Sequence, residues 1–415
     1  MRKGALYCAL DITAGKVAGV CAALKRSSEI AVVACRSGLS AGIKDGRIHD
    51  VGALSEAVTA VLKGLSESSG ARIKTLSVSI QGPRIKSTHS LGAIPISERA
   101  HKIITSGDIA KVNQQAYSLG LNIKERILHQ IAQGYTIDNQ NKVINPAGLY
   151  GHKLEVDLLL IAAPNSDVEN LISAIDRAGC RVRTVVLSSY AASLAVVSGA
   201  DKINGCLLLD IGYDITQMLV FKDGILRGFD TFDIGSKHIT EALAKELRLS
   251  YDAAEMVKVS YGSALSGQLP PDAEVLIKKE QVYRPIKRRE ISVIIEKELT
   301  ALFEQIKKRL EVYQKTLVFP SGIIASGRTA VLDGFLESLE RFFNMPVRLA
   351  KIGILERGKA IENAATDELA YCAAIGAVKY AVSQSPQVDL LRLSSYGNVF
   401  QKIAHKSKEI YQEYF

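Results

Sequence analysis

Cys206-Leu207-Leu208-Leu209-Asp210-Ile211-Gly212-Tyr213-Asp214 is an apolar run that ends in an acid and a glycine-containing turn. Near the start of the chain, Ala9-Leu10-Asp11-Ile12-Thr13-Ala14-Gly15-Lys16 has the same arrangement. An uninterrupted apolar run of this length reads as a strand buried on both faces. An acid at its end, beside a turn of free N–H groups, suits a phosphate and its cation. Roughly 200 residues separate the two stretches, about one α/β domain. The order around them repeats as well. Strands are expected over 4–11, 16–23 and 28–36, and again over 205–210, 215–221 and 225–232, where Lys222-Asp223-Gly224 makes a tight hairpin. The chain reads as a duplicated α/β fold with a cleft between its halves.

The bulk properties agree with two cores. The 415 residues, 47% of them apolar, exceed the ~250–300 that one core usually organises. A net charge of +9 favours anionic partners and says nothing about fold. With no aromatic-studded basic patch and no recognition helix, nucleic acid is not an expected partner. Cys8, Cys21, Cys35, Cys180, Cys206 and Cys372 are scattered without a CxxC pair and read as buried apolar residues of a reducing compartment. Asp11 interrupts the apolar start before any cleavage site, so the N-terminus reads as a strand and not a signal peptide. No uncharged run reaches the ~20 residues that span a bilayer. The expected location is cytoplasmic.

Between the repeats the pattern changes. A helix over 50–67 and a strand over 74–81 complete the first unit. Residues 84–160 read as a compact α+β insert, with a short polar strand over 84–90, a helix opening at Ser106-Gly107-Asp108, and strands near 125–132, 134–138 and 153–161. A helix over 165–178, a strand over 182–187 and a helix capped by Ser188 or Ser189 follow. The second unit adds helices over 236–246 and 252–259, a long amphipathic helix over 290–313, a strand over 316–324 and a helix over 332–342. A small-residue helix over 368–382 precedes a tail. In that tail Val399, Phe400, Ile403, Ile410, Tyr411, Tyr414 and Phe415 crowd one helical side, with Lys402, Lys406, Lys408, Glu409 and Glu413 on much of the rest, the two glutamates weakening any attraction to anionic lipid. Such a helix suits the surface of an anionic membrane.

Together these residues resemble the actin-like ATPase superfamily and, within it, the FtsA family of bacterial cell-division proteins. Asp11-Ile12-Thr13-Ala14-Gly15-Lys16 falls on the first phosphate hairpin of that pattern, and Asp210-Ile211-Gly212-Tyr213-Asp214-Ile215-Thr216 on the second. Gly322 to Gly334, with Ser326-Gly327-Arg328 at its turn, is similar to the adenosine motif. Ala254 to Gly262 resembles the helix that borders the nucleoside. Ser40 to Asp50, the insert, Tyr371 to Ala377 and the detached last helix point to FtsA within the superfamily.

The resemblance implies an α/β, actin-like duplicated fold of two RNase H-like large domains around a nucleotide cleft. Its first large domain (1A) would take 1–83 and 161–199, and an inserted small α+β domain (1C) 84–160. The second large domain would take 200–382, with its 2B part at about 236–315. A linker over 383–396 and an amphipathic membrane-targeting helix over 397–415 complete the plan. The implied ligands are ATP and Mg²⁺, the ion held through water by Asp11 and Asp210. Thr13, Ala14, Gly15, Lys16, Gly212, Tyr213, Asp214, Ile215, Gly235, Glu255, Lys258, Gly327 and Arg328 would bind the nucleotide. Glu255 and Lys258, three apart on one helical face, would bracket ribose and base.

Several positions depart from the family pattern. Thr13 stands where glycine is usual, Tyr213-Asp214 where two glycines are expected, Gln217 where an acid is usual, and Arg328 in place of a second glycine. Tyr213 adds bulk beside the phosphates, and Asp214 opposes them unless its side chain turns away or a cation intervenes. Arg328 either stacks near the base, pairs with phosphate or narrows the pocket. Ser188 to Ala192 supplies no acid for an attacking water, so no catalytic residue is assigned and at most a weak ATPase is expected. The implied role is self-assembly into filaments on the cytoplasmic face of the inner membrane at the division site. Residues 397–415 would bind anionic lipids, the second large domain the C-terminal tail of the tubulin-like FtsZ, and the small domain other division proteins. A PilM-like type IV pilus assembly protein and a nucleotide-independent membrane adaptor stay open as alternatives.

Overall fold

The computed structural model describes residues 6–24, 30–97, 102–140, 142–279, 282–353 and 368–384. The expected amphipathic helix over 397–415, and the linker beyond 384, lie outside the described residues.

The first unit runs β1 (Leu6–Ile12), β2 (Val17–Leu24), β3 (Ile30–Gly38), α1 (Val51–Ser69) and β4 (Thr75–Ile80). Asp50 caps α1 by accepting the Ala53 N–H at 3.0 Å, and Gly70 ends it in the left-handed region. Leu54, Val58, Val61 and Leu65 then fall on one helical face and are buried. The insert follows as β5 (Lys86–Pro95), α2 (Ser106–Leu119), β6 (Glu125–Ile137) and β7 (Lys153–Pro164). The strand expected over 84–90 therefore extends to Pro95, paired residue by residue with β7. The insert's sheet is ordered β5-β7-β6, and its small core of Ile104, Val112, Ala116, Tyr135, Leu154, Val156, Leu158 and Leu160 lies under α2.

The chain returns through α3 (Asn165–Arg177), β8 (Arg181–Leu187) and α4 (Ser188–Val196). The second unit comprises β9 (Cys206–Ile211), β10 (Thr216–Lys222), β11 (Ile225–Phe232), α5 (Ser236–Leu247), α6 (Tyr251–Tyr261), α7 (Arg288–Gln314), β12 (Ile323–Ser326), α8 (Phe335–Phe343) and β13 (Val347–Leu349). The strand expected over 316–324 is shorter. Gly322 has φ of +64 and lies against the Pro346 carbonyl, so the extended run begins only at Ile323.

The two main sheets share one topology. The first is ordered β8-β4-β1-β2-β3 and the second β13-β12-β9-β10-β11. In each, the acid-bearing strand pairs antiparallel with the strand after it and parallel with a later one. Asp11 stands opposite Ser79 of β4, and Asp210 opposite Ser326 of β12. The two acids thus occupy equivalent places in a duplicated sheet. Along β9, Cys206 and Leu208 face a core shared with the first unit, while Leu207, Leu209 and Ile211 face the core of the second. That alternation is the strand's own period of two.

One element departs from the expected domain plan. The last described helix, α9 (Cys372–Ser383), was expected with the second large domain, yet packs on α4 and β1 of the first. Its small residues decide this. A Cβ on Gly376 would lie 1.6 Å from the Ala191 carbonyl oxygen, so the helices meet backbone to backbone.

Candidate functional site

A cleft with a cavity volume of about 390 Å³ lies between the two units. The ends of β1 and β9 face it with Asp11 and Asp210. Thr13, Gly15 and Lys16 line it from the first hairpin, and Gly212 and Tyr213 from the second. Glu255 and Lys258 of α6, the turn Gly327-Arg328, and Cys372 and Ala373 of α9 complete the walls.

Asp11 is buried and fully engaged. Its Oδ1 accepts from Ser79 Oγ at 2.5 Å and from Ser188 Oγ at 2.7 Å. The Lys16 ammonium lies 3.6 Å from Oδ2 and also donates to the Ala370 carbonyl. The hairpin itself closes without the usual glycine. Thr13 N donates to the Lys16 carbonyl at 2.9 Å, and Lys16 N donates to Thr13 Oγ1 at 3.2 Å. The threonine hydroxyl thus ties the turn together.

Asp210 is half-buried, and burial followed by the nearby Asp11 charge pushes its pKa up to about 6. Lys16 and a hydrogen bond with Ser326 oppose that rise. Two carboxylates face one space, and a cation between them would relieve their repulsion.

The second hairpin is docked on the start of α5. Ser236 N donates to the Gly212 carbonyl at 3.0 Å and Lys237 N to the Tyr213 carbonyl at 2.9 Å. A Cβ on Gly235 would lie 2.3 Å from that same Tyr213 oxygen, so glycine is required to bring the helix in. The Tyr213 hydroxyl meets the Tyr251 hydroxyl at 2.6 Å, and the base of its side chain lies over Gly15 of the opposite hairpin. Asp214 turns away from the cleft, and its buried carboxylate accepts the Gly46 N–H at 2.8 Å. It therefore adds no charge to the wall that would hold phosphate.

Glu255 and Lys258 form a partly buried knot. Lys258 Nζ donates to Glu255 Oε2 at 2.7 Å, Thr240 Oγ1 at 2.8 Å and the Ser236 carbonyl at 3.2 Å, while Thr240 Oγ1 also donates to Glu255 at 2.5 Å. Burial lowers the Lys258 pKa, Glu255 opposes this, and the nearby Arg328 charge adds to the lowering. Gly327 has φ of +86, and a Cβ there would lie 2.2 Å from the Ile211 carbonyl oxygen. No other residue fits that turn against the end of β9.

Of the residues expected to bind nucleotide, the fold brings together Asp11, Thr13, Gly15, Lys16, Asp210, Gly212, Tyr213, Glu255, Lys258, Gly327 and Arg328 on one cleft. Ala14, Asp214, Ile215 and Gly235 do not line it. Ala14 faces a small space beside Gly46 and Gln81, and Ile215 is buried with its carbonyl accepting Gly212 N. Sequence reasoning missed Ser79, Thr240 and Tyr251, and saw Ser188 only as a helix cap. The available signal for Ser79 was Thr75-Leu76-Ser77-Val78-Ser79, where small polar residues alternate inside a buried strand. Among the described residues, the carboxylates lining the cleft are Asp11, Asp210 and Glu255, and none of the lining residues is a histidine. This set can hold an anion and a cation.

Two family models match the sequence. One, cell division protein FtsA, covers residues 207–376, and the other, the SHS2 domain inserted in FtsA, covers residues 82–162. The chain is 28% identical to the cell division protein FtsA of Borreliella burgdorferi, over 97% of each chain. It superposes on a structure of the PilM-PilN type IV pilus biogenesis complex with a TM-score of 0.65, at 16% identity, covering 91% of this chain and 98% of that one. MreB5 of Spiroplasma citri bound to ADP gives 0.52 at 12% identity, covering 89% and 94%. Structural likeness at such identity speaks for the fold alone, and that fold is the actin-like one with its inserted small domain, as expected from the sequence.

Proposed function

Because this chain belongs to the FtsA family of cell division proteins, we propose that it binds an adenine nucleotide with Mg²⁺ in the cleft. The observation that carries this is the placing of Asp11 and Asp210 at equivalent ends of a duplicated sheet, with Lys16 between their charges. The raised Asp210 carboxyl beside a second acid suits an ion held through water, and Gly15 and Gly212 line the cleft without side chains to fill it. Gly327 brings the Arg328 turn close enough to border the nucleoside. When bound, Mg²⁺ supplies positive charge that phosphate and the two acids share.

The nucleotide biases the relation of the two large domains, and that relation sets self-association into filaments. The protein acts on the cytoplasmic face of the inner membrane at the division site. It tethers the FtsZ C-terminal tail through the second large domain, and recruits other division proteins through the insert. The segment 397–415 supplies the attachment to anionic lipid, with avidity from the filament. Among the described residues no helix is long and apolar enough to cross a membrane.

Calorimetry of Mg²⁺–ATP on the full chain, with Asp210→Ala beside it, tests the central claim. Saturable micromolar binding that the substitution abolishes supports it. No binding by folded protein up to millimolar nucleotide overturns it.

A further inference from the structure

The second hairpin touches the first unit on both of its faces, and both contacts come from the residues that replace the expected pair of glycines. Tyr213 lies over Gly15 on the cleft side. Asp214, only 4% exposed, reaches back 168 residues to the Lys44–Arg47 turn, where its Oδ2 accepts the Gly46 N–H at 2.8 Å. That turn is built to present the group. Asp45 and Gly46 both have positive φ, 51° and 67°, the mark of a tight hairpin turn whose backbone points outward. Beside it, Lys237 at the start of α5 pairs with Asp45 at 2.5 Å. Two consecutive residues of one unit are thus gripped by two neighbouring residues of the other.

We propose that Asp214–Gly46, flanked by Lys237–Asp45, is a clasp that holds the two halves of the cleft together without any ligand. A buried charge-assisted bond is the stronger half, because its loss leaves a buried carboxylate without its backbone donor. The exposed Lys237–Asp45 pair contributes little by itself and steers the turn into place. A glycine at 214 could not accept the Gly46 N–H, so closure in this chain rests on a side chain where the resemblance would leave it to a bridging phosphate. The clasp is independent of which nucleotide the cleft takes.

The test uses spin labels at Lys63→Cys on α1 and Lys245→Cys on α5, both exposed, in the full chain without nucleotide. All six native cysteines are buried, so the labels go where intended. The expected result is one narrow distance distribution in the otherwise native protein, broadened toward longer distances by Asp214→Ala. Asp214→Asn keeps an oxygen to accept the Gly46 N–H and should stay narrow. Hydrogen exchange at the Gly46 amide gives a second reading: at least tenfold faster in Asp214→Ala, and within twofold of native in Asp214→Asn. A broad native distribution, or equal Gly46 exchange in native protein and Asp214→Ala, overturns the clasp. Added Mg²⁺–ATP separates the two readings. If calorimetry of the same variants finds no binding while the distances behave as expected, nucleotide binding fails and the clasp stands; if Asp214→Ala narrows again with nucleotide, both hold.

Discussion

Ser188 Oγ donates to Asp11 Oδ1 at 2.7 Å across 177 residues of chain. The first residue of α4 thereby fixes the acid that ends β1, in concert with Ser79 from the neighbouring strand. The carboxylate's direction is set before any ligand arrives, and such pre-orientation lowers the cost of binding a cation there.

Ser188→Ala should therefore weaken Mg²⁺–nucleotide binding by about tenfold, since a hydrogen bond to a charged group contributes about 1.5–3 kcal/mol. Asp11 keeps Ser79 and Lys16, so the fold persists. Titration calorimetry of native protein and variant reads the difference, and equal affinities would show that Ser188 does not position Asp11.

The raised Asp210 carboxyl predicts a pH signature in the ligand-free protein. Its folded pKa is about 6, above the usual carboxylate value of 3.8. The native state then holds a proton that the unfolded chain has released between those values, so stability falls as pH rises through that window. Above pH 6 the full penalty is present. Asp210→Asn removes it and should unfold about 1–3 kcal/mol harder than native protein at pH 7.5, on the scale of 1.36 kcal/mol per pKa unit. Near pH 4 the two should converge. Urea titrations at both pH values decide this, and a constant offset would contradict it.

His129 gives the opposite slope. Its Nε2 accepts the Leu187 N–H at 3.0 Å, its ring packs on Tyr190 and Tyr380, and burial drops its pKa to about 3. Below pH 6.5 the unfolded chain gains a proton that the native state refuses, so stability is lost as pH falls. The expected contribution is about 1.4 kcal/mol per pH unit between pH 6 and 4. In His129→Gln, denaturation curves over this range should lose that slope while other titrations remain. An unchanged slope would mean the imidazole accepts a proton in the native state.

Gly376→Ala tests the α9–α4 contact. Alanine normally favours a helix interior over glycine by about 0.8–1 kcal/mol. Here its methyl would sit 1.6 Å from the Ala191 oxygen and 2.3 Å from the carbonyl carbon, which are backbone atoms and cannot swing aside. Overpacking of about 1–3 kcal/mol or more should win, with melting several degrees lower. A neutral or stabilised variant would show that the two helices separate easily.

Much of the fold was legible because strands advertise burial locally. Leu207 to Leu209 leading into Asp210, and Leu10 into Asp11, are visible without knowing what they pack against. Ranges blurred where a turn depended on a distant backbone, as at Gly322 against Pro346. The departures from the family pattern were visible as residues, while their consequences were not. Thr13 proves to close its own turn, and Asp214 proves to face Gly46 and not the cleft.

The sequence by itself determined the duplication, the two acids at equivalent strand ends, the insert and the order of the hairpins. Apolar runs, periods and turns are properties of neighbouring residues. Only the tertiary structure decided that Ser188 and Ser79 hold Asp11, that Tyr213 meets Tyr251, that Asp214 grips the opposite half, and that α9 returns to the first unit. Each of these joins residues far apart in the chain. Side-chain direction and the close approach of small residues such as Gly376 and Ala191 exist only once the elements have packed.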